Sequence, residues 1–360
     1  MEPGRLNSIT DVAGVRVGHT TLISGEGALK PGSGPVRTGV TVVVPHNGDI
    51  WTEPIFAGAH RLNGNGELTG LEWIREAGML GGAIGITNTH SVGVVRDALI
   101  EAAVRAHAMS DAVWALPVVG ETYDGALNDI NGFHVRPEHV HAALAAAHDG
   151  PVVEGNVGGG TGMICHEFKG GIGTSSRLVA AWTVGVLVQA NYGERALLRI
   201  DGVPVGAAIP VTDVPSPWDR VDALAPRAGS EGGSIIGIVA TDAPLLPHQC
   251  ARLAQRVGMG VARMGSYASH GSGDLFLTFA TGNRDLSRNA GEDDPRALVE
   301  LGMLPDRQIN PLFEAVAEAT EEAIVNALLA ADTMVGRDGI TAHALDPVRL
   351  VEIVRAHGRP

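Results

Sequence analysis

The sequence predicts an α+β protein of layered sheets with helices outside, and three observations carry this. Strand-like runs and helical patterns alternate without a strict strand–helix–strand rhythm. Several strands follow one another directly, as over residues 185–210. The C-terminal region is strongly helical. In chain order, strands are expected at 14–22, 39–45, 82–87, 112–119, 185–189, 197–200, 234–240 and 275–280, each a β-branched or alternating apolar run. Helices are expected at 92–107, 137–147, 246–257, 311–329 and 347–357. The first has Val94, Val95, Ala98, Leu99, Ala102 and Ala103 on one face, and the second opens on Pro137, suited to a first turn. Asp213 to Gly233, with Pro215, Pro217 and Pro226, reads as an exposed connector, and Asn283 to Pro295 as a surface loop. Strand signals flank the connector on both sides, so residues 1–360 are read as one domain.

Composition narrows the function. With 360 residues and 44% hydrophobic content there is enough apolar material for a large core, and 49 glycines against only 18% charged residues suggest many tight turns and close backbone approaches. The net charge is −14, Lys30 and Lys169 are the only lysines, and no basic stripe is interleaved with aromatics, so nucleic acid is not an expected partner. Cys165 and Cys250 lie in no metal or redox spacing and read as buried thiols of a reducing compartment. The N-terminus has no basic segment followed by an apolar one, and no apolar run reaches spanning length. The expectation is a cytoplasmic protein without a membrane partner.

The chemistry concentrates at Gly233-Ser234, where a polar glycine-rich stretch ends and the strand Ile235 to Ala240 begins. Glycine permits strained peptide geometry. The Ser234 hydroxyl could therefore attack the Gly233 carbonyl, move the acyl group from nitrogen to oxygen and, after hydrolysis, leave Ser234 as a new N-terminus. Its α-amine, with an ordinary pKa of about 7.7–8.0, would suit a general base at neutral pH. The alternative is a loop that simply ends at a strand. In Ser269-His-Gly-Ser-Gly-Asp274, Ser272 and Asp274 are two apart and share a face if extended, either orienting a proton or capping a strand. Glu121 and Tyr123 repeat that spacing. Asn191 closes a strand, where its amide could donate to an oxyanion or cap a turn.

Other chemistries find no support. Gly155-Asn-Val-Gly-Gly-Gly-Thr-Gly162 lacks the Lys-Ser/Thr of a phosphate loop and the glycine spacing of a dinucleotide fingerprint, and Gly170-Gly-Ile-Gly-Thr-Ser-Ser176 carries no phosphate signature. Both read as tight turns. No Gly-x-Ser-x-Gly elbow surrounds Ser234 or Ser272, and the 14 histidines form no His-Glu-x-x-His. Neither a cofactor nor a metal is expected.

Taken together, Asn7-Ser-Ile-Thr-Asp-Val-Ala-Gly-Val-Arg-Val-Gly-His19, Glu121-Thr-Tyr-Asp-Gly125, Gly155 to Gly162, Val188-Gln-Ala-Asn191, Gly233-Ser234 and Ser269 to Asp274 resemble the DmpA-type aminopeptidases, the L-aminopeptidase/D-Ala-esterase/amidase and β-aminopeptidase family of autoprocessing serine hydrolases. The resemblance implies a four-layer αββα sandwich, similar in plan to N-terminal nucleophile hydrolases but connected differently. It also implies cleavage at Gly233-Ser234 into an α chain, 1–233, and a β chain, 234–360. Ser234 would be the nucleophile, Ser272 and Asp274 would hold and polarise it, Tyr123 and Asn191 would frame the oxyanion, and Glu121 would receive the substrate's free amino group. At the acid position some members carry glutamate; Asp274 is one methylene shorter. Substrates would be short peptides, amides or esters with a free amino terminus, carrying L-amino acids, D-alanine or β-amino acids. The processed protomers would form a homotetramer. The rivals are a related acyltransferase moving acetyl between ornithine and glutamate, which typically uses threonine, and a ligand-binding relative that has lost catalysis.

Overall fold

A computed structural model of the chain describes residues 1–110, 113–224, 233–284, 286 and 298–359. Its strands and helices run β1 (Arg16–Ser24), β2 (Val36–Val44), β3 (Ile55–Gly64), α1 (Leu71–Ala77), β4 (Met79–Leu80), β5 (Ile84–Asn88), α2 (Val92–Ala106), β6 (Val118–Thr122) and α3 (Pro137–Ala146). They continue with β7 (Ile164–Cys165), β8 (Phe168–Lys169), β9 (Gly171–Val179), β10 (Trp182–Asn191), α4 (Pro217–Leu224), β11 (Gly233–Thr241), α5 (Pro247–Arg263), β12 (Ser272–Ala280), α6 (Asn310–Leu329), β13 (Met334–Val335), β14 (Thr341–Ala342) and α7 (Pro347–Ala356).

Two sheets carry the fold. One has the order β1-β2-β5-β6, the other β4-β3-β12-β11-β10-β9. Period-two alternation sorts the side chains of each strand into two layers. Val43, Ile84, Ile86 and Val118 from the first sheet meet Ile236, Ile238, Leu275 and Leu277 from the second. Val40, Val42 and Val119 turn outward against Val95 and Leu99 of α2 and Val140 of α3. Val186, Ile235 and Val239 turn the other way, against Leu253 and Val257 of α5 and Val316 and Ala319 of α6. The result is helix, sheet, sheet, helix: the αββα sandwich that the sequence implied. Helix starts follow local chemistry. Proline stands in the first turn of α3, α5, α6 and α7, and the Asp346 carboxylate caps α7 by accepting from the Val348 amide at 2.9 Å.

Several expectations need correction. The 112–119 strand is displaced to Val118–Thr122, and residues 113–117 form no regular element. Residues 197–200 are not a strand: a 3-10 turn at Arg195–Leu197 and a single bridge from Ile200 to Val203 take their place. Strands therefore do not follow one another through 185–210. Gly193 and Gly202, both at positive φ, break the run, while Leu198, Val203 and Val205 still supply apolar surface to the outer core. The stretch 170–176, read as turns, is mostly strand β9, buried at nearly every position. Its hydroxyls are satisfied internally, Thr174 donating to the Val186 carbonyl and Ser175 to that of Ala319, both at 2.6 Å. Gly173 lets α6 ride close: a Cβ there would sit 1.9 Å from the Ala323 carbonyl oxygen. The connector 213–233 is partly helical, with Ser216 and Val221 buried, and its residues 225–232 lie outside the described residues. Of the 283–295 loop, Asn283 is buried and bonded to Gly302, and residues 285 and 287–295 lie outside the described residues. Both cysteines are buried and free. No described helix is long and apolar enough to cross a membrane.

Candidate active site

Strands β10, β11 and β12 lie side by side, and their register assembles the site. Asn191 pairs with Ser234 across the antiparallel β10–β11 ladder. In the parallel β11–β12 ladder Gly233 pairs with Ser272, Ser234 with Gly273 and Ile235 with Asp274. Ser234 is buried, and its hydroxyl folds back to donate to the carbonyl oxygen of Gly233 at 2.7 Å. Residue 233 has no room for a side chain: a Cβ would stand 2.8 Å from the Tyr192 Cα and 3.1 Å from the Asn191 carbonyl oxygen.

Alternation along β11 puts Ser234 on the face of Ile236 and Ile238, between the sheets. Ser272 and Asp274 alternate with Leu275 and Leu277, so their side chains emerge on the opposite face, beside Ile235 and under the helices. There the Ser272 hydroxyl donates to Asp274 Oδ1 at 2.6 Å. Asp274 Oδ2 is buried without a hydrogen-bond partner among the described residues. Burial pushes this carboxyl up to about 6, although the Ser272 hydroxyl and the Ile235 amide pull the other way. A cavity of about 140 Å³ opens on the same side, lined by Gly233, Ser272, Tyr192, Glu194 and Tyr267 among others.

Glu121 and Tyr123 come from the other sheet. Strand β6 packs on β11 where Gly120 meets Ile236; a Cβ on that glycine would lie 3.1 Å from the isoleucine Cγ2. Glu121 ends up buried, with Oε1 accepting from the Glu67 amide at 3.0 Å and Oε2 accepting from the Thr89 hydroxyl. Burial raises its pKa, against those two hydrogen bonds. Gly66 is wedged between Glu121 and Gly273, the residue that pairs with Ser234: a Cβ there would be 2.9 Å from Glu121 Oε1 and 3.3 Å from the Gly273 Cα. Tyr123 lies one residue past the strand and is 51% exposed, so the two-apart geometry does not put it on Glu121's strand face. Its carbonyl oxygen accepts from Asn191 Nδ2 at 3.0 Å, while Asn191 Oδ1 accepts from the Ile164 amide at 2.8 Å. The loop supplying Ile164 is tied down by Lys169. This fully buried ammonium donates to the carbonyls of Gly160, Met163 and Gly170 at 2.7–3.2 Å and is pulled down to about 7 by burial.

The structure thus brings Ser234, Asn191 and the Tyr123 backbone together between the sheets, and Ser272 with Asp274 behind the same peptide; Glu121 sits one glycine's width from β12. Sequence reasoning missed the loop Asn63-Gly-Asn-Gly-Glu67, whose Asn65 amide donates to the Ser272 carbonyl at 3.1 Å and whose Glu67 amide holds Glu121. Its Asn-Gly pairs were a readable turn signal. Thr89 and Tyr192 were missed as well, and no local pattern marks either.

The model of peptidase family S58 matches residues 7–342. A beta-peptidyl aminopeptidase, BapA, of Sphingosinicella microcystinivorans is 48% identical, over 99% of this chain and 90% of that protein. Among solved structures, a Burkholderia sp. beta-aminopeptidase is 52% identical with a TM-score of 0.89, covering 100% of this chain and 96% of the other. The L-aminopeptidase D-Ala-esterase/amidase of Ochrobactrum anthropi, described as a prototype for the serine aminopeptidases and a variant of the Ntn hydrolase fold, is 42% identical with a TM-score of 0.88, covering 99% and 96%.

Proposed function

The chain belongs to peptidase family S58 and is an aminopeptidase, and we propose that it matures by cutting itself between Gly233 and Ser234 and then uses Ser234 as its nucleophile. The observation that carries this is the Ser234 hydroxyl lying 2.7 Å from the Gly233 carbonyl oxygen, in a register that sets Gly233 beside Ser272. Attack of Oγ on the Gly233 carbonyl carbon forms a C–O bond. The C–N bond to Ser234 then breaks as the nitrogen gains a proton, and water hydrolyses the ester. Gly233 is left as a carboxylate ending chain 1–233, and Ser234 as a free amine and hydroxyl opening chain 234–360.

In turnover the new α-amine takes the Oγ proton as Ser234 attacks the substrate's first carbonyl. Ser272 and Asp274 orient that amine from the helix side. Their position on the face opposite the Ser234 side chain, beside Gly233 and Ile235, favours this division of labour over direct proton removal by the pair. Tyr123 and Asn191 frame the oxyanion. Glu121 receives the substrate ammonium, which restricts the enzyme to unblocked amino termini. The more similar relatives, at 48% and 52% identity against 42%, are those named for β-peptides, so we assign this chain peptides, amides and esters with an N-terminal β-amino acid. Processed protomers assemble as a homotetramer in the same reading. The test pairs N-terminal sequencing of the smaller fragment, expected to begin Ser-Ile-Ile, with rates on β-homoalanyl and L-alanyl p-nitroanilides. A faster L-alanyl reaction overturns the substrate assignment.

Glu121→Gln keeps size but not charge, and a hydrogen bond to a charged group contributes about 1.5–3 kcal/mol. The specificity for free-amine over N-acetylated substrate should therefore fall roughly 10- to 100-fold; unchanged discrimination would remove Glu121 from the site. Asp274 in the intact chain holds its proton up to about pH 6. Only the ionised form offers negative charge to the Ser234 nitrogen as it gains its proton, so self-cleavage of fresh precursor should slow about tenfold per pH unit below that point and level off above it. A cleavage rate flat down to pH 4.5 would contradict this.

A further inference from the structure

We propose that Gly125 is a positioning residue for the reaction: the missing side chain at this position sets where the Tyr123 phenol stands. The inference rests on the reading of Tyr123 as an oxyanion donor. The phenol folds back over Gly125. A Cβ on that glycine would lie 2.3 Å from the Tyr123 hydroxyl oxygen and 2.4 Å from Cζ, far inside any non-bonded contact. The Tyr123 side chain is half exposed, so a methyl group at 125 displaces the phenol rather than the backbone.

The backbone is the fixed partner in this contact. Asp124, fully buried between the two residues, accepts from Asn88 Nδ2 at 3.0 Å on one oxygen and from Asn128 Nδ2 at 3.0 Å on the other. Asn88 also donates to the Thr38 hydroxyl at 2.9 Å, and Asn128 accepts from the Arg37 amide at 2.9 Å, so Asp124 is bolted to both β5 and β2. On either side, the Tyr123 carbonyl accepts from Asn191 and the Gly125 carbonyl accepts from Arg337 Nε at 2.8 Å. With three consecutive residues anchored, the phenol is the part that must yield. An oxyanion donor acts only when it is held within hydrogen-bond reach of the developing charge, so displacing it lowers kcat and leaves substrate binding nearly intact.

The experiment is a double-mutant cycle on the processed enzyme, with Tyr123→Phe, Gly125→Ala and the pair. Tyr123→Phe should cost on the order of 100- to 1000-fold in kcat. Gly125→Ala should cost at least tenfold with KM changed little, and the double variant should be no slower than Tyr123→Phe alone. A built Cβ also comes within 3.0 Å of Ile130 Cγ2, so Gly125→Ala/Ile130→Ala removes that second contact. It should fold and remain as slow as Gly125→Ala. If Tyr123→Phe keeps wild-type kcat, the oxyanion role itself is wrong. If Tyr123→Phe is slow but Gly125→Ala or its Ile130→Ala derivative is not, or if the two losses multiply in the double variant, the inference about Gly125 alone is overturned.

Discussion

Ser234→Ala is expected to yield a single uncut chain without measurable aminopeptidase activity. One oxygen atom performs both reactions in this account, and its removal abolishes both. The loss of a nucleophile that acts with its base as a unit costs on the order of a million-fold in kcat. Folding should survive, because among the described residues the Ser234 hydroxyl bonds only to the carbonyl of its own neighbour, and a hydrogen bond of this kind contributes about 1 kcal/mol. The variant is therefore the precursor held in place, with Gly233 still packed against Tyr192. Ser234→Thr is the informative companion. It keeps the hydroxyl and suits a strand position, but its extra methyl restricts rotation about the first side-chain bond. It should cleave slowly rather than not at all. Processing of Ser234→Ala at the wild-type rate would place the nucleophile elsewhere.

Asp274→Asn should be the second most damaging change, lowering kcat by roughly 1000- to 10,000-fold, the scale seen when a buried carboxylate that orients a catalytic base becomes an amide. The Ser272 hydroxyl now donates to Oδ1 at 2.6 Å. The amide of asparagine fits the same space but carries no charge, so it cannot stabilise an ammonium on Ser234 or draw the Ser272 proton. Its NH2 group would also enter a site where Oδ2 has no partner among the described residues, leaving buried donors unsatisfied at a cost of about 1–3 kcal/mol. Self-cleavage should slow in parallel. Ser272→Ala should be similarly impaired, and combining it with Asp274→Asn should add little further loss, because the two side chains act through one hydrogen bond. Full turnover by Asp274→Asn would leave the pair a purely structural role.

The parts of this site that follow local periodicity were readable from the chain. The two-apart spacing of Ser272 and Asp274, just ahead of the strand expected at 275–280, foretold that they share a face, and the glycine before Ser234 marked where β11 begins. Non-local features were hidden. That β12 runs parallel to β11, setting Gly233 against Ser272, depends on a partner more than thirty residues away, separated by the whole of α5. Strand β9 was misread because Gly171-Ile-Gly-Thr-Ser-Ser176 looks like a turn; its hydroxyls are silenced by the Val186 and Ala319 carbonyls, and its glycine by the approach of α6. Glu121 and Tyr123 show how a boundary matters. Strand β6 stops at Thr122, so the spacing that would have aligned the carboxylate and the phenol is broken, and the phenol lies instead over Gly125.

The most direct measurement is the intact mass of the purified wild-type protein under denaturing conditions, taken beside Ser234→Ala. Two wild-type species that break between Gly233 and Ser234, residues 1–233 and 234–360, are expected, and one species for the variant. A wild-type chain that stays whole at 37.2 kDa through prolonged incubation at neutral pH, or a break at any other bond, would contradict this expectation.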